Sequence, residues 1–332
     1  MHRHIVNDPE KAAEEALEGL ALTYPQLVAY DPRAGIVTRT RPARDKVGLV
    51  SGGGSGHEPL HAGFVGTGML DVAVPGALFA SPTALQVHRG TVAADSGRGV
   101  VQIVKNYTGD VLNFQIAEEL AEDDAVKTEV VLVDDDLATS GSDEGGPGRR
   151  GTAAVLAVEK ICGAAAEAGA DLAEVAALGR LVAGRARTLS LALRAGTHPG
   201  ADEPAFVLPD GQIELGVGIH GERGTGRIPF ADADTLVGQL VDPLVSALGL
   251  TRGSSVIAIV NGLGGTSPLE LSVTARATHH RLKDLGISVE RSLAGSYVTS
   301  LDMHGVSVTL LPAEDSLLAL WDAPVRTPAL TW

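Results

Sequence analysis

The sequence contains a single cysteine, Cys162, in 332 residues. An intrachain disulfide and a cysteine-bound metal cluster are therefore excluded. A lone thiol in an alanine-rich, helical-looking stretch reads as a small buried apolar residue. Aromatic residues make up only 3% of the chain, which suits cores of Ala, Val and Leu. Positive charge is also short: 26 Lys and Arg stand against 41 Asp and Glu, a net charge of −15. Such a surface repels nucleic acid and anionic lipid, and leaves a small neutral substrate or a protein partner as the better fit. No run approaches the ~18 apolar residues of a membrane span. Met1 to Asn7 lacks the apolar core of a signal peptide, so a cytoplasmic protein is expected.

Glycine, by contrast, is abundant, with 41 residues. The length predicts two domains. Asp8-Pro9 followed by Glu10 to Leu20 reads as a capped helix with proline at its first position. Val47–Val50, Val100–Val104 and Val130–Val133 are short apolar runs of the kind found in buried strands, and Asn113–Ala121 and Thr152–Ala168 read as helices between and after them. This alternation predicts an α/β fold: two α/β domains with largely parallel sheets flanked by helices. Ser140–Gly151 reads as an exposed glycine-rich loop. Asp171–Arg194 reads as one long helical stretch bridging into the second half. There, Ile213–Ile219, Ser255–Val260, Ile287–Ser292 and Val306–Leu311 read as strands, with a helix from Ser267. The expected domains are residues 1–185, carrying a glycine-rich loop, and 186–332.

Residues 48–64, GLVSGGGSGHEPLHAGF, hold the most chemistry. His57-Glu58-Pro59-Leu60-His61 has the letters of the zinc-protease pattern. That pattern needs both histidines on one helix, and Pro59 places His57 at or before a helix cap. No third ligand is marked by spacing, so no metal is expected. A Walker loop is absent because no Lys follows Gly56, and a dinucleotide loop because His57 stands where its third glycine belongs. What survives is a strand ending in glycines that let a ligand approach the backbone, a following helix with free N–H groups, and a titratable His57. The alternative is a structural glycine turn beside a bystander histidine.

At this point the residues are recognisable. The stretch from Gly48 to Val87 closely resembles the dihydroxyacetone-binding subunit family of dihydroxyacetone kinases. The likeness continues in KNYTGDVLNF (105–114), GRRGTAAVLAVEKICGAAAEAG (148–169), ELGVGIHGERG (214–224), VNGLGGTSPLEL (260–271) and SYVTSLDMHGVSVTLL (296–311), and covers essentially the whole chain in order. The resemblance implies a homodimer whose substrate carbonyl forms a hemiaminal with the histidine of G-I-H-G-E, here His220. It implies an acid/base pair of His57 and Asp110. Small-ketose binding would fall to Gly54, Ser55, Gly56 and Lys105, with Ser81 beside them. An imidazole can add to a carbonyl but not to an alcohol, so such an adduct would reject glycerol. Read alone, each residue keeps a plainer alternative. His220 could be a satisfied core histidine, Asp110 a turn residue or the N-cap of a helix from Asn113, and Lys105 a solvated lysine at a strand end.

No nucleotide motif occurs in the sequence. The resemblance places ADP or ATP and Mg²⁺ on a separate helical kinase subunit, served by ATP or by a phosphotransferase-system donor, and no cofactor on this chain. Thr197-His198, His304 and the VDDD at 133–136 depart from the family pattern, which keeps open a four-carbon ketose such as erythrulose. A ketone-sensing coactivator paralogue is a third reading.

Overall fold

The structure, a computed structural model, describes residues 4–42, 44–140 and 148–332. Much of the predicted Ser140–Gly151 loop lies outside the described residues. Among them, no helix is long and apolar enough to cross a membrane. The chain forms two compact units. One comprises Val6–Val133, Val155–Ala183 and Ala319–Trp332, and the other is built chiefly from Asp134–Ala154 and Gly184–Leu318. A single cut at 185 therefore misses two exchanged segments, Asp134–Ala154 and Ala319–Trp332. Nothing in the composition of either segment marks the exchange.

The first unit begins with α1 (Ala12–Thr23), β1 (Val28–Asp31), β2 (Ile36–Arg39), β3 (Gly48–Ser55), β4 (Val72–Leu78), α2 (Ala84–Ala94), β5 (Val100–Lys105), α3 (Thr108–Asp123) and β6 (Thr128–Val133). A single 3-10 turn, Pro9–Lys11, precedes α1, and the Asp8 side chain caps it as the Asp-Pro signal predicts. The sheet order is β1-β2-β4-β3-β5-β6. Strands β4, β3, β5 and β6 run parallel, while β1 and β2 add an antiparallel margin. All eight positions of β3 are buried, as a central strand covered on both faces requires. Val87, Phe114, Ala117 and Ala121 of α2 and α3 pack on one face with Val50, Val72, Val74 and Val104. On the other face lie α4 (Ala154–Glu167) and α5 (Leu172–Arg185). There Gly179 of α5 comes so close to Cys162 and Val131 that a Cβ would stand 2.8 Å from each. Cys162 is buried, and burial pushes its thiol up to about 12, as expected of a packing residue.

The second unit contains β7 (Arg187–Arg194), β8 (Gln212–Leu215), β9 (Gly226–Pro229), α6 (Ala233–Ala247), β10 (Ser255–Gly262), α7 (Pro268–Asp284), β11 (Ser288–Gly295), β12 (His304–Pro312) and the start of α8 (Asp315–Asp322). Its order is β11-β10-β12-β7-β8-β9. Only β10 and β11, joined through α7, are parallel; every other pair is antiparallel. The α/β class holds, but the expected largely parallel character is confined to the first unit. An apolar run marks a strand without giving its direction, and direction follows from connections that the runs do not show. The predicted helix Asp171–Arg194 ends at Arg185, and Arg187–Arg194 is β7. Its sequence, RTLSLALR, places leucine at every second position, a strand period that the Ala/Leu content masked. The core of this unit lies between α6, α7 and the sheet, with Leu240, Val241, Leu244, Val256, Ala258 and Val308 at its centre.

Candidate active site

The first cluster lies at the C-terminal edge of the parallel strands, where open α/β sheets bind their ligands. Lys105 ends β5, and its side chain is 1% exposed, so it is not a solvated lysine. Asp110 is buried in the first turn of α3, whose helix begins at Thr108 rather than at Asn113. A carboxylate there gains from the helix dipole. Ser81, on the β4–α2 loop, donates its hydroxyl to Asp110 Oδ1, and Lys105 Nζ stands 3.6 Å from Asp110 Oδ2. Gly53 makes this possible: a Cβ there would fall 2.4 Å from Lys105 Nζ and 3.4 Å from Asp110 Oδ2.

His57 is buried, and its ring stacks on Phe79 with centroids 5.0 Å apart. Phe79 is held in the left-handed region at φ 52°, with its N–H donated to Ser55 O. Such strain persists only where surrounding contacts fix it, and it recurs at functional sites. The glycine loop differs from expectation in one respect. No α-helix follows β3; the chain turns through residues 57–61 into a single 3-10 turn, Ala62–Phe64. The expected set of free helical N–H groups is therefore absent there. The Gly56 N–H donates to both carboxylate oxygens of Glu58 at 3.0 Å, and Ser55 Oγ donates to Gly76 O. A ligand using the Gly56 N–H must displace Glu58.

His61, the second histidine of the H-E-x-x-H letters, belongs to this cluster. Its Nδ1 lies 2.6 Å from Glu159 Oε1 of α4 and its Nε2 lies 3.1 Å from Lys105 Nζ. With a lysine on one ring nitrogen and a carboxyl on the other, the ring has no nitrogen left for a metal. Burial, reinforced by the charges of Lys105 and His57, lowers the His61 pKa well below that of a free histidine. Burial likewise raises the Glu159 carboxyl to about 8, against the pull of Lys105. The ninety-eight residues separating His61 from Glu159 explain why spacing gave no hint of the pair.

His220 lies in the second unit, on the loop between β8 and β9. The predicted strand Ile213–Ile219 stops at Leu215, and Gly216 and Gly221 turn the chain at φ 75° and 82°. His220 is half-buried. Glu222 Oε2 accepts its main-chain N–H at 2.9 Å and Oε1 lies 3.0 Å from its Nδ1. Burial would raise the Glu222 carboxyl, but its hydrogen bond and charge contact with His220 outweigh this and hold it at about 2. The ionised carboxylate is an acceptor, which favours the ring proton on Nδ1. Arg150 steadies the same loop by donating to Gly216 O at 2.9 Å and to Asp136 at 2.8 Å.

The residues that departed from the family pattern have structural partners. Asp134 pairs with Arg149, Asp135 accepts from Thr152 and the Ala154 N–H, and Asp136 pairs with Arg150. The Thr197 N–H donates to Asp302 Oδ1. His304 is half-buried, with Nε2 2.8 Å from Glu270 Oε1, at the wall of an apolar cleft of about 550 Å³ that Phe230, Leu236 and Val273 also line.

Residues 18–329 match the Dak1 domain. The chain belongs to the Dak1 family. It is 42% identical to the dihydroxyacetone-binding subunit DhaK of the PEP-dependent dihydroxyacetone kinase of Escherichia coli K12, over 99% of each chain. It is 46% identical to the dihydroxyacetone-binding subunit of PTS-dependent dihydroxyacetone kinase 1 of Listeria innocua, over 94% of this chain and 95% of that one. Among solved structures, a dihydroxyacetone kinase operon co-activator, DhaQ, superposes with a TM-score of 0.89 at 33% identity, covering 95% of this chain and 97% of the co-activator. The Dak1 match spans both six-stranded sheets, and His57, Ser81, Lys105, Asp110 and His220 all fall within it.

Proposed function

We propose that this chain is the substrate-binding subunit of a dihydroxyacetone kinase, a phosphotransferase acting on an alcohol group. The observation that carries the reading is the grouping of buried Lys105 and Asp110 with half-buried Ser81 beside the glycine strand, in a chain 42% and 46% identical to dihydroxyacetone-binding kinase subunits. His220 Nε2 adds to the carbonyl carbon of the ketose. The carbonyl π pair moves to oxygen, which takes up a proton, and the positive charge left on the ring is met by the Glu222 carboxylate. The adduct pins a molecule that offers too few contacts for tight non-covalent binding. The free hydroxymethyl oxygen then attacks the phosphorus of the partner's phosphoryl donor. The donor's own bond to that phosphorus breaks and its remnant (ADP where ATP is the donor) leaves with the partner, and the hydroxyl proton passes to His57 or Asp110. Lys105 holds a substrate oxygen by charge, and Gly54, Ser55 and Gly56 shape the floor.

Phosphoryl donor, ADP or ATP and Mg²⁺ belong in this reading to a helical partner subunit, supplied by a phosphotransferase-system protein or by nucleotide exchange. The subunit works as a cytoplasmic homodimer. The test mixes the purified chain with helical kinase subunits, a phosphoryl donor, and dihydroxyacetone or erythrulose, and follows phosphate transfer. Transfer with a partner and none without it is expected. Turnover by the chain alone defeats the subunit assignment. A preference for erythrulose makes it a four-carbon ketose kinase subunit. The likeness to the operon co-activator favours a second reading as a ketone sensor; stable ketone binding with no transfer to any partner is the result that selects it.

A further inference from the structure

Lys105 has three ammonium protons and only donates. One is directed at Gly52 O, 3.3 Å away, and one at His61 Nε2, 3.1 Å away. The third faces the side on which Asp110 Oδ2 stands at 3.6 Å. A lysine can donate to His61 Nε2 only if that nitrogen is bare, so the ring proton must sit on Nδ1. There it meets Glu159 Oε1 at 2.6 Å. Glu159 is wholly buried, and its second oxygen, Oε2, makes no hydrogen bond of ordinary geometry among the described residues, with the Ser51 hydroxyl, itself donating to Ile103 O, as the polar group beside the carboxyl. A carboxyl so placed can carry its own proton on Oε2 and still accept through Oε1. Each group in the series thus has one consistent role: Glu159 accepts, His61 relays, and Lys105 donates.

We propose that His61 and Glu159 are positioning residues that lock the Lys105 ammonium in one orientation, with the imidazole fixed as the Nδ1–H tautomer, so that the remaining ammonium proton is reserved for the substrate side. The inference rests on the proposed kinase reading for its consequence, but the tautomer and the lysine placement stand apart from it. The low pKa of His61 and the raised pKa of Glu159 both favour uncharged partners behind the lysine. The charged pair is then Lys105 with Asp110, and the neutral pair behind it costs no second buried charge. A packing role alone would ask only for volume at position 159, and an apolar residue would serve as well there as a carboxyl.

The experiment combines a spectroscopic and a kinetic readout on the full chain. Nitrogen-15 NMR of histidine-labelled wild-type protein is expected to show His61 protonated at Nδ1 and bare at Nε2. Glu159→Leu removes the acceptor and is expected to shift the ring towards the Nε2–H form. It should lower kcat for phosphate transfer with the helical partner roughly ten- to a hundredfold, the scale of a misplaced catalytic group. Glu159→Gln keeps an acceptor of the same shape and is expected to restore the Nδ1–H form and most of the lost rate. Thermal unfolding of both variants separates misfolding from mispositioning. A wild-type His61 found with its proton on Nε2, or a Glu159→Leu protein as active as Glu159→Gln, overturns the proposal. If the wild type phosphorylates no ketose, the kinase reading fails by itself, and the tautomer in wild type and Glu159→Leu still decides the positioning claim.

Discussion

Glu222 grips His220 at two points, accepting the main-chain N–H through Oε2 and facing Nδ1 through Oε1. The carboxylate has room to do so because Gly218 has no side chain: a Cβ there would lie 2.1 Å from Glu222 Oε2 and 2.6 Å from Arg150 Nη1. The contact selects the tautomer. Glu222→Ala is expected to cut formation of the dihydroxyacetone adduct roughly tenfold or more, as loss of tautomer control does at other catalytic histidines. Glu222→Gln should fall between that variant and wild type. Carbon-13 NMR of labelled dihydroxyacetone, in which the carbonyl signal moves on conversion to a hemiaminal, checks both. An adduct unchanged in Glu222→Ala would remove Glu222 from the chemistry.

Asp110 receives the Ser81 hydroxyl on one oxygen and faces Lys105 with the other. Asp110→Asn keeps the shape and removes the charge and the basic oxygen. Its kcat for phosphate transfer should drop on the order of a hundredfold, the usual weight of a positioned acid or base, with ketone affinity changed much less. Ser81→Ala removes one hydrogen bond and should cost only a few-fold, in line with about 1 kcal/mol. Steady-state kinetics with a saturating partner subunit distinguishes them. Equal losses in the two variants would mean that Ser81, not the carboxylate, sets the rate.

Gly53 and Gly54 are neighbours with opposite surroundings. A Cβ on Gly53 meets the end of a flexible side chain, Lys105 Nζ, whereas a Cβ on Gly54 meets backbone at Phe79 Cα and Ala80 N, 2.8 and 2.7 Å away. The lysine can give way only by losing its contacts to Gly52 O, His61 and Asp110, and the backbone cannot give way at all. Gly53→Ala should raise KM for the ketose because it displaces the ammonium, and should also lower Tm, because the φ of 158° at this position is one that side chains rarely adopt. Gly54→Ala should lower Tm by several degrees, as a core strain of 1–3 kcal/mol does. Calorimetry beside kinetics decides; a larger Tm loss in Gly53→Ala than in Gly54→Ala runs against this assignment.

The sequence exposes some of these relationships and hides others for physical reasons. Buried strands such as Ser255–Gly262 and Val100–Lys105 announce themselves as apolar runs bounded by turns. The Ser267 cap of α7 reads directly from Ser-Pro followed by Glu270. β7 stayed hidden because its period-two pattern follows α5 without a break in composition. The site divides in the same way. His57, Ser81, Lys105, Asp110 and His220 lie in long motifs that carry a family resemblance. Glu222 lies inside one of those motifs, but only the structure shows its two oxygens placed against His220. His61 is visible in the sequence, but Pro59, which argues against a metal helix, says nothing of the lysine that β5 brings to its ring. Glu159 sits within an apolar helix, where a buried charge needs an explanation that only its partner supplies.

That buried carboxyl also carries a stability prediction. The Glu159 pKa rises from an ordinary 4.5 to about 8 in the folded protein, with burial as the main cause. A raised folded-state pKa means that the fold binds the proton more tightly than the unfolded chain does. The stability this supplies is whole below about pH 4.5 and is lost as the pH climbs through about 8. Glu159→Gln is permanently neutral at the same site, so it escapes that loss. Its Tm should match that of wild type near pH 5 and exceed it at pH 8, the gap widening steadily between. Thermal unfolding of both proteins across pH 5–8 measures the gap directly. Parallel curves would show that Glu159 is ionised throughout, and that Lys105 and His61 compensate a full buried charge.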